Sequence, residues 1–260
     1  MSGILLAVDI GNTTLECGLY DRDKLLTTWR LSSTVDRTPD ECWQSTVFFC
    51  HEAGVDPKNL SAMALASVVP QQTRSFLNMA KMRFDPDPFL ISIETCSFIN
   101  VNYTTPAQIG ADRLCNAYAG YNHYGGPLVI VDFGTAVTLD VVDAAGVYLG
   151  GIIVPGPRAA ASILHRRTAQ LPQVSLKFPD SLIGIDTDHA IRSGLTWGTV
   201  DMVDGLIERI RLELGVEAGV VATGGLVEPF ASRSRHFQRV HPDLVLEGVR
   251  LLYQKARGSY

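Results

Sequence analysis

Apolar residues along this chain gather in short runs separated by turn signals. Ile4-Leu5-Leu6-Ala7-Val8 ends at Asp9, and Ile10-Gly11-Asn12-Thr13-Thr14 follows. A short apolar run bounded in this way predicts a buried strand. Leu15, Cys17 and Leu19 then alternate with Glu16, Gly18 and Tyr20, the period of two expected of a half-buried strand. A turn at Asp21-Arg22-Asp23 leads to a third strand, Leu25 to Leu31. The succession returns near the middle of the chain. Leu128-Val129-Ile130-Val131 ends at Asp132, and Phe133-Gly134-Thr135-Ala136 follows. Val137, Leu139 and Val141 alternate with Thr138, Asp140 and Val142 before a turn at Asp143-Ala144-Ala145-Gly146 and a strand at Val147-Tyr148-Leu149. A helix is predicted after each copy, Pro39 to Gly54 and Pro157 to Leu171.

A duplication of this period is no short solenoid repeat. It predicts an α/β protein of two duplicated domains, residues 1–118 and 119–260, with a central cleft of the kind small molecules favour. The remaining pattern agrees. Met63 to Val69 and Pro88 to Ile93 read as strands, with a helix around Gln71 to Lys81 between them. Val200, Val203, Ile207, Ile210 and Leu214 fall at helical spacing within a helix from Thr196 to Leu214, and Gly215 stops it. Val220-Val221-Ala222 is a strand, and a helix from Pro242 to Lys255 closes the second domain.

Composition narrows the class. Of 260 residues, 46% are hydrophobic and 19% charged, which is ordinary for a globular protein and unlike a disordered one. The net charge of −5 and the lack of a basic stripe speak against nucleic acid as a partner. The one basic cluster, Arg233 to Arg239, reads as a solvated loop or helix face. No apolar run reaches the ~20 residues that span a bilayer. Met1-Ser2-Gly3-Ile4 has no signal-peptide pattern, so a cytoplasmic protein without membrane contact is expected. Five cysteines at irregular spacing predict buried thiols, not a disulfide framework or a zinc site.

The two Asp-x-Gly segments are the leading chemical candidates. Glycine after a strand lets backbone N–H groups approach a phosphate, and an Asp at the strand end can hold a metal ion or its waters. A plain turn is the competing reading. Neither segment is a Gly-x-x-x-x-Gly-Lys-Ser/Thr loop or a Gly-x-Gly-x-x-Gly fingerprint. In Gly110-Ala111-Asp112-Arg113, Asp112 is a candidate base for a substrate hydroxyl and Arg113 a candidate partner for a carboxylate; a helix cap with a surface charge is the alternative. Tyr103 could line the same pocket or pack in the core. Thr223-Gly224-Gly225 offers flat backbone to a nucleotide, or only a loop. The glycines of Gly150-Gly151-Ile152-Ile153-Val154-Pro155-Gly156 suggest a close backbone approach.

Taken in order, Asp9-Ile10-Gly11-Asn12-Thr13, Gly110-Ala111-Asp112-Arg113, Asp132-Phe133-Gly134-Thr135-Ala136, Gly150 to Gly156 and Thr223-Gly224-Gly225 resemble the motifs of type III pantothenate kinases, with lesser matches at Arg37-Thr38, Asp40-Glu41, Ser67-Val68-Val69-Pro70 and His241 to Gly248. The resemblance runs over almost the whole chain. It implies the actin-like, ribonuclease H-like fold and ATP-dependent phosphorylation of pantothenate towards coenzyme A. It also implies Mg²⁺ with ATP, an activating potassium or ammonium ion, and a homodimer. By the same resemblance Asp112 is the catalytic base. Tyr103, Gly110, Ala111, Asp112, Arg113 and Thr187 bind pantothenate. Asp9, Ile10, Gly11, Asn12, Thr13, Thr14, Leu15, Glu16 and Thr135 bind ATP, and Asp132 binds the monovalent cation. A sugar or short-acid kinase, an ATP-binding accessory protein without metabolite kinase activity, and a filament protein of the same fold are the alternatives.

Overall fold

A computed structural model describes residues 3–168 and 171–258. Met1 and Ser2, on which the signal-peptide reading partly rests, lie outside the described residues. So do residues 169 and 170, within the predicted Pro157 to Leu171 helix. The chain divides into two compact units, residues 1–119 with 244–260, and residues 120–243.

In the first unit, β1 (Ile4–Ile10), β2 (Thr14–Asp21) and β3 (Lys24–Ser32) form an antiparallel meander, and β4 (Leu60–Ser67) and β5 (Phe89–Leu90) extend it in parallel. The sheet order is β3-β2-β1-β4-β5. Helices α1 (Pro39–Glu52) and α2 (Pro70–Arg83) supply Cys42, Cys50, Phe76 and Met79 to one face, against Leu6, Val8, Leu15 and Cys17. Thr38 and Glu41 form a reciprocal capping box at the head of α1, so two of the lesser motif matches are helix-start chemistry. The other face carries Leu5 and Ala7. Helix α3 (Ala111–Tyr124) covers it with Ala111 and Cys115, and a terminal helix with Val245, Leu246, Val249 and Leu252. Both faces are therefore closed. The expected half-buried β2 is buried on both faces from Cys17 to Tyr20, with Tyr20 only 2% exposed.

The second unit repeats the plan. It contains β6 (Leu128–Phe133), β7 (Ala136–Val142), β8 (Tyr148–Pro155), α4 (Pro157–Arg167), α5 (Thr187–Leu214), β9 (Gly219–Thr223), α6 (Glu228–Ala231) and β10 (Arg239–Val240), with sheet order β10-β9-β6-β7-β8. Val200, Val203, Ile207 and Ile210 of α5 pack on Val129, Val131, Val137 and Leu139. Helix α5 starts at Thr187, earlier than its apolar spacing indicates, because Asp186 accepts a hydrogen bond from the His189 N–H and caps it there. It ends at Gly215 in the left-handed conformation, φ 67°.

One expectation is corrected here. The terminal helix, α7 (Leu244–Arg257), was assigned by sequence to the second domain; its apolar stripe packs on the first sheet. Buried Arg250 fixes it there, pairing with Asp23 at 2.5 Å and with Glu247 and lying 5.7 Å over the Tyr20 ring. The Arg233–Arg239 cluster lies in an exposed loop, as expected, and its residues also make local contacts. Arg233 sits over Phe178 and Trp197, Arg235 pairs with buried Asp204 at 3.2 Å, and His236 meets Glu208 at 3.2 Å.

Candidate functional site

In the first unit the Asp9 hairpin closes tightly. The Gly11 N–H donates to the Thr14 carbonyl and the Ser33 N–H to the Thr13 carbonyl, both at 3.0 Å. Asn12, Thr13 and Thr14 are exposed on this loop, while Ile10 and Leu15 send their side chains wholly into the core and offer only backbone to a ligand. Asp9 stands directly opposite Glu16 across the β1–β2 pair. Like charges so placed repel, and Arg30 on the next strand compensates by holding Glu16 Oε1 with Nε at 2.9 Å and Nη2 at 2.7 Å.

The head of α3 belongs to the same neighbourhood. The Val68 N–H donates to the Ile10 carbonyl at 3.0 Å, and a Cβ on Gly110 would lie 3.7 Å from Val68 Cγ1 and would collide with Asp112 Oδ1. A side chain here would have to displace the Asp112 carboxylate. That carboxylate accepts a 2.9 Å hydrogen bond from the Arg113 N–H. Burial raises the Asp112 pKa above the ordinary aspartate value, against the lowering effect of the Arg113 N–H and guanidinium. The buried Cys115 thiol is also pushed well up, first by burial and then by the charges of Asp9 and Asp112. Arg113 is 7% exposed, and Ala111 is part of the core. Tyr103 is half-buried in the irregular segment before α3, in the same unit.

The second unit holds the matching hairpin. The Gly134 N–H donates to the Ala136 carbonyl at 3.0 Å, and the Gly156 N–H to the Thr135 carbonyl at 3.1 Å, so the glycine after β8 is tied to the phosphate-loop candidate. Thr135 is exposed. Gly224 has φ 95°, and a Cβ there would strike Asp132 Oδ1 and the Phe133 backbone. Only glycine allows the Thr223-Gly224-Gly225 turn to lie against Asp132. The structure thus brings together Asp132, Thr135, Gly134, Gly156 and Gly224. Carboxylate, hydroxyl and carbonyl oxygens of this kind suit hard cations.

Thr187 is exposed in the first turn of α5, in the second unit. The sequence reading missed Asp140. It named this residue only as a position alternating with Val137, Leu139 and Val141; its side chain is 0% exposed. A charge between Leu139 and Val141, two residues from Thr138, was the available signal.

A family model described as type III pantothenate kinase matches residues 5–209. A type III pantothenate kinase of Roseiflexus sp. (strain RS-1) is 39% identical over 254 residues, which is 98% of this chain and 100% of the relative. Among solved structures, an activator of 2-hydroxyisocaproyl-CoA dehydratase from Clostridium difficile with bound ADPNP has a TM-score of 0.56 at 13% identity, covering 98% of this chain and 96% of that one. A ROK hexokinase from Thermus thermophilus has a TM-score of 0.52 at 15% identity, covering 98% and 99%. At such identities these two establish the fold alone, which is the actin-like ATPase fold. The family match and the full-length identity decide the rest: the chain belongs to the type III pantothenate kinase family.

Proposed function

We propose that this chain transfers the γ-phosphoryl group of ATP to the primary hydroxyl of pantothenate, giving 4′-phosphopantothenate. The observation that carries this reading is the buried Asp112 carboxylate, oriented by the Arg113 N–H at the head of α3 beside the Asp9 loop. In phosphoryl transfer the protein acts mainly by positioning and by neutralising charge. The hydroxyl oxygen attacks the γ-phosphorus, the bond to the β–γ bridging oxygen breaks, and the hydroxyl proton passes to Asp112. Arg113 pairs with the pantothenate carboxylate, and Tyr103, Gly110, Ala111 and Thr187 complete the substrate contacts.

Both hairpins serve as phosphate loops. Asp9 through Glu16 offer exposed backbone and hydroxyls to ATP, and Thr135 offers the same from the second loop. Asp9 would hold Mg²⁺ or its waters and Asp132 a potassium or ammonium ion, and the bound cations would offset phosphate charge. The support is the oxygen donor set at each strand end and the turn at Gly224, where a Cβ would intrude on Asp132. We also read the protein as a cytoplasmic homodimer. Leu182, Ile183 and Ile185 are 65%, 81% and 91% exposed in the single chain, which supports burial against a second copy. No helix among the described residues is long and apolar enough to cross a membrane.

A coupled assay with pantothenate tests the assignment. Asp112→Asn is expected to lower kcat by roughly 10²-fold or more, the scale of a general base, with the fold intact by circular dichroism. Near-normal turnover by that variant would remove Asp112 from the mechanism.

A further inference from the structure

The buried face of α2 consists of Gln72, Phe76, Met79 and Ala80. The last three are apolar and pack in the core of the first unit. Gln72, one turn before Phe76, carries a carboxamide and is only 2% exposed. Burying an amide is costly unless it is hydrogen-bonded, and an apolar side chain would continue the face at no such cost. What the amide meets is the connection from β3 to α1. Its Nε2 donates to the Val35 carbonyl at 2.6 Å and, in a longer bond, to the Ser33 carbonyl at 3.4 Å. Its Oε1 has no hydrogen-bond partner among the described residues, so the N–H groups alone hold the amide there.

Residues 33–37 lie in neither strand nor helix, and their carbonyls take side chains as partners. Arg37 Nη1 donates to the Ser32 carbonyl at 2.6 Å and to that of Val35 at 3.2 Å. The Ser75 hydroxyl, three residues along α2 from Gln72, donates to the Arg37 carbonyl at 2.6 Å. The segment is thus a strap tied to α2 at both ends. At its start the Ser33 N–H donates to the Thr13 carbonyl at 3.0 Å. This bond lies one residue beyond the last β2–β3 pair, Thr14 with Ser32, and carries the pairing into the Asp9 loop. Ser33 is therefore held on both sides, its N–H by the loop and its carbonyl by Gln72.

We propose that Gln72 is a positioning residue for nucleotide binding. By holding the Ser33–Val35 strap it sets the Thr13 backbone, and with it the exposed Asn12, Thr13 and Thr14 that face ATP. The inference rests on the reading of this hairpin as a phosphate loop. Buried as it is, Gln72 acts through the strap and not on the nucleotide itself. Gln72→Met removes both N–H donors while keeping an unbranched side chain of similar size, which a core tolerates best.

The test separates binding from stability. Calorimetric affinity for a non-hydrolysable ATP analogue with Mg²⁺, and the melting temperature without it, are compared for wild type, Gln72→Met, Met79→Ala, Asn12→Ala, Thr13→Ala and the double variant of Gln72 and Thr13. Gln72→Met should weaken the analogue about five- to tenfold, the scale of one lost polar contact, and leave the KM for pantothenate unmoved. Met79→Ala opens a cavity on the same buried face. It should lower the melting temperature at least as far and leave the analogue's affinity unchanged. The penalty of Gln72→Met should shrink in the Thr13→Ala background, and an undiminished penalty there would refute the route through Thr13. If Asn12→Ala and Thr13→Ala both bind the analogue as wild type does, the phosphate-loop reading fails and this inference with it. If they weaken binding and a folded Gln72→Met does not, the loop reading stands and the role of Gln72 is refuted. If Met79→Ala weakens binding as much as Gln72→Met, the effect is one of stability and the positioning role is refuted. If Gln72→Met does not fold, hydrogen exchange in wild type decides. The analogue should slow exchange in residues 33–37 together with residues 11–14, and protection confined to 11–14 refutes the coupling.

Discussion

The two units share a strand order and differ in what faces each strand-end aspartate. In the first, Asp9 lies opposite a second carboxylate, Glu16, which Arg30 compensates from the neighbouring strand. In the second, Asp132 lies opposite a hydroxyl, Thr138, whose proton is taken by Asp140. One strand-end aspartate is therefore faced by a carboxylate that is itself ion-paired, and the other by a hydroxyl, so the two hairpins offer different electrostatics. A duplicated fold has kept its backbone and diverged in electrostatics. The units differ also in closure, since the first borrows α7 from the far end of the chain.

Four experiments probe these contrasts. The largest effect is expected where closure depends on a buried charge. Arg250→Ala removes the cation that Glu247 and Asp23 share and uncovers Tyr20, and it should cost about 3 kcal/mol in urea denaturation. A loss below ~1 kcal/mol would show that apolar packing alone holds α7. Next comes Asp9→Asn, which should reduce kcat/KM for MgATP by about 10²-fold, the scale of a removed electrostatic stabiliser. Asp132→Asn should be milder, with about tenfold weaker potassium activation and little change in the magnesium requirement. Potassium and magnesium titrations of both variants check the contrast, and identical profiles would abolish it. Arg30→Met should be smallest. The Arg30 side chain is 46% exposed, and the pair should contribute no more than ~1 kcal/mol to stability.

Asp112 adds a pH test with a definite sign. Its pKa is raised in the folded protein by burial. Between the unfolded and folded values the folded state holds more protons, so this group's contribution to stability falls as pH rises through that window. Above it, wild type carries a buried charge that Asp112→Asn lacks, and the variant should melt higher at pH 7. Catalysis runs the other way. A base must be ionised, so kcat should fall on acidification with its acid limb above the ordinary aspartate range. A limb at or below the ordinary value would contradict the burial seen here.

The two Asp-x-Gly hairpins were legible in the sequence because a buried run, an Asp and a glycine turn are local signals, and they occur twice. The place of Asp112 was legible from its motif, though its burial was not. What escaped depends on distant contacts. Alternation in β7 marks Thr138, Asp140 and Val142 as one face, but cannot tell whether that face meets water, and here it is covered. The apolar stripe of α7 is equally plain, yet an amphipathic pattern does not say which sheet it will meet. The start of α5 was missed because its first turns are polar and the decisive residue is the cap, Asp186.

The route of the chain has a consequence for synthesis. Residues 120–243 emerge from the ribosome as one uninterrupted stretch and form a complete unit. The first unit is split, and the face of its sheet that carries Leu5 and Ala7 keeps part of its apolar surface uncovered until Val245, Leu246, Val249 and Leu252 arrive. The unit begun first is therefore finished last. During translation the nascent protein carries an open, adhesive sheet face beside the Asp9 loop, and the enzyme's proposed base rests on α3, which lies against that same face.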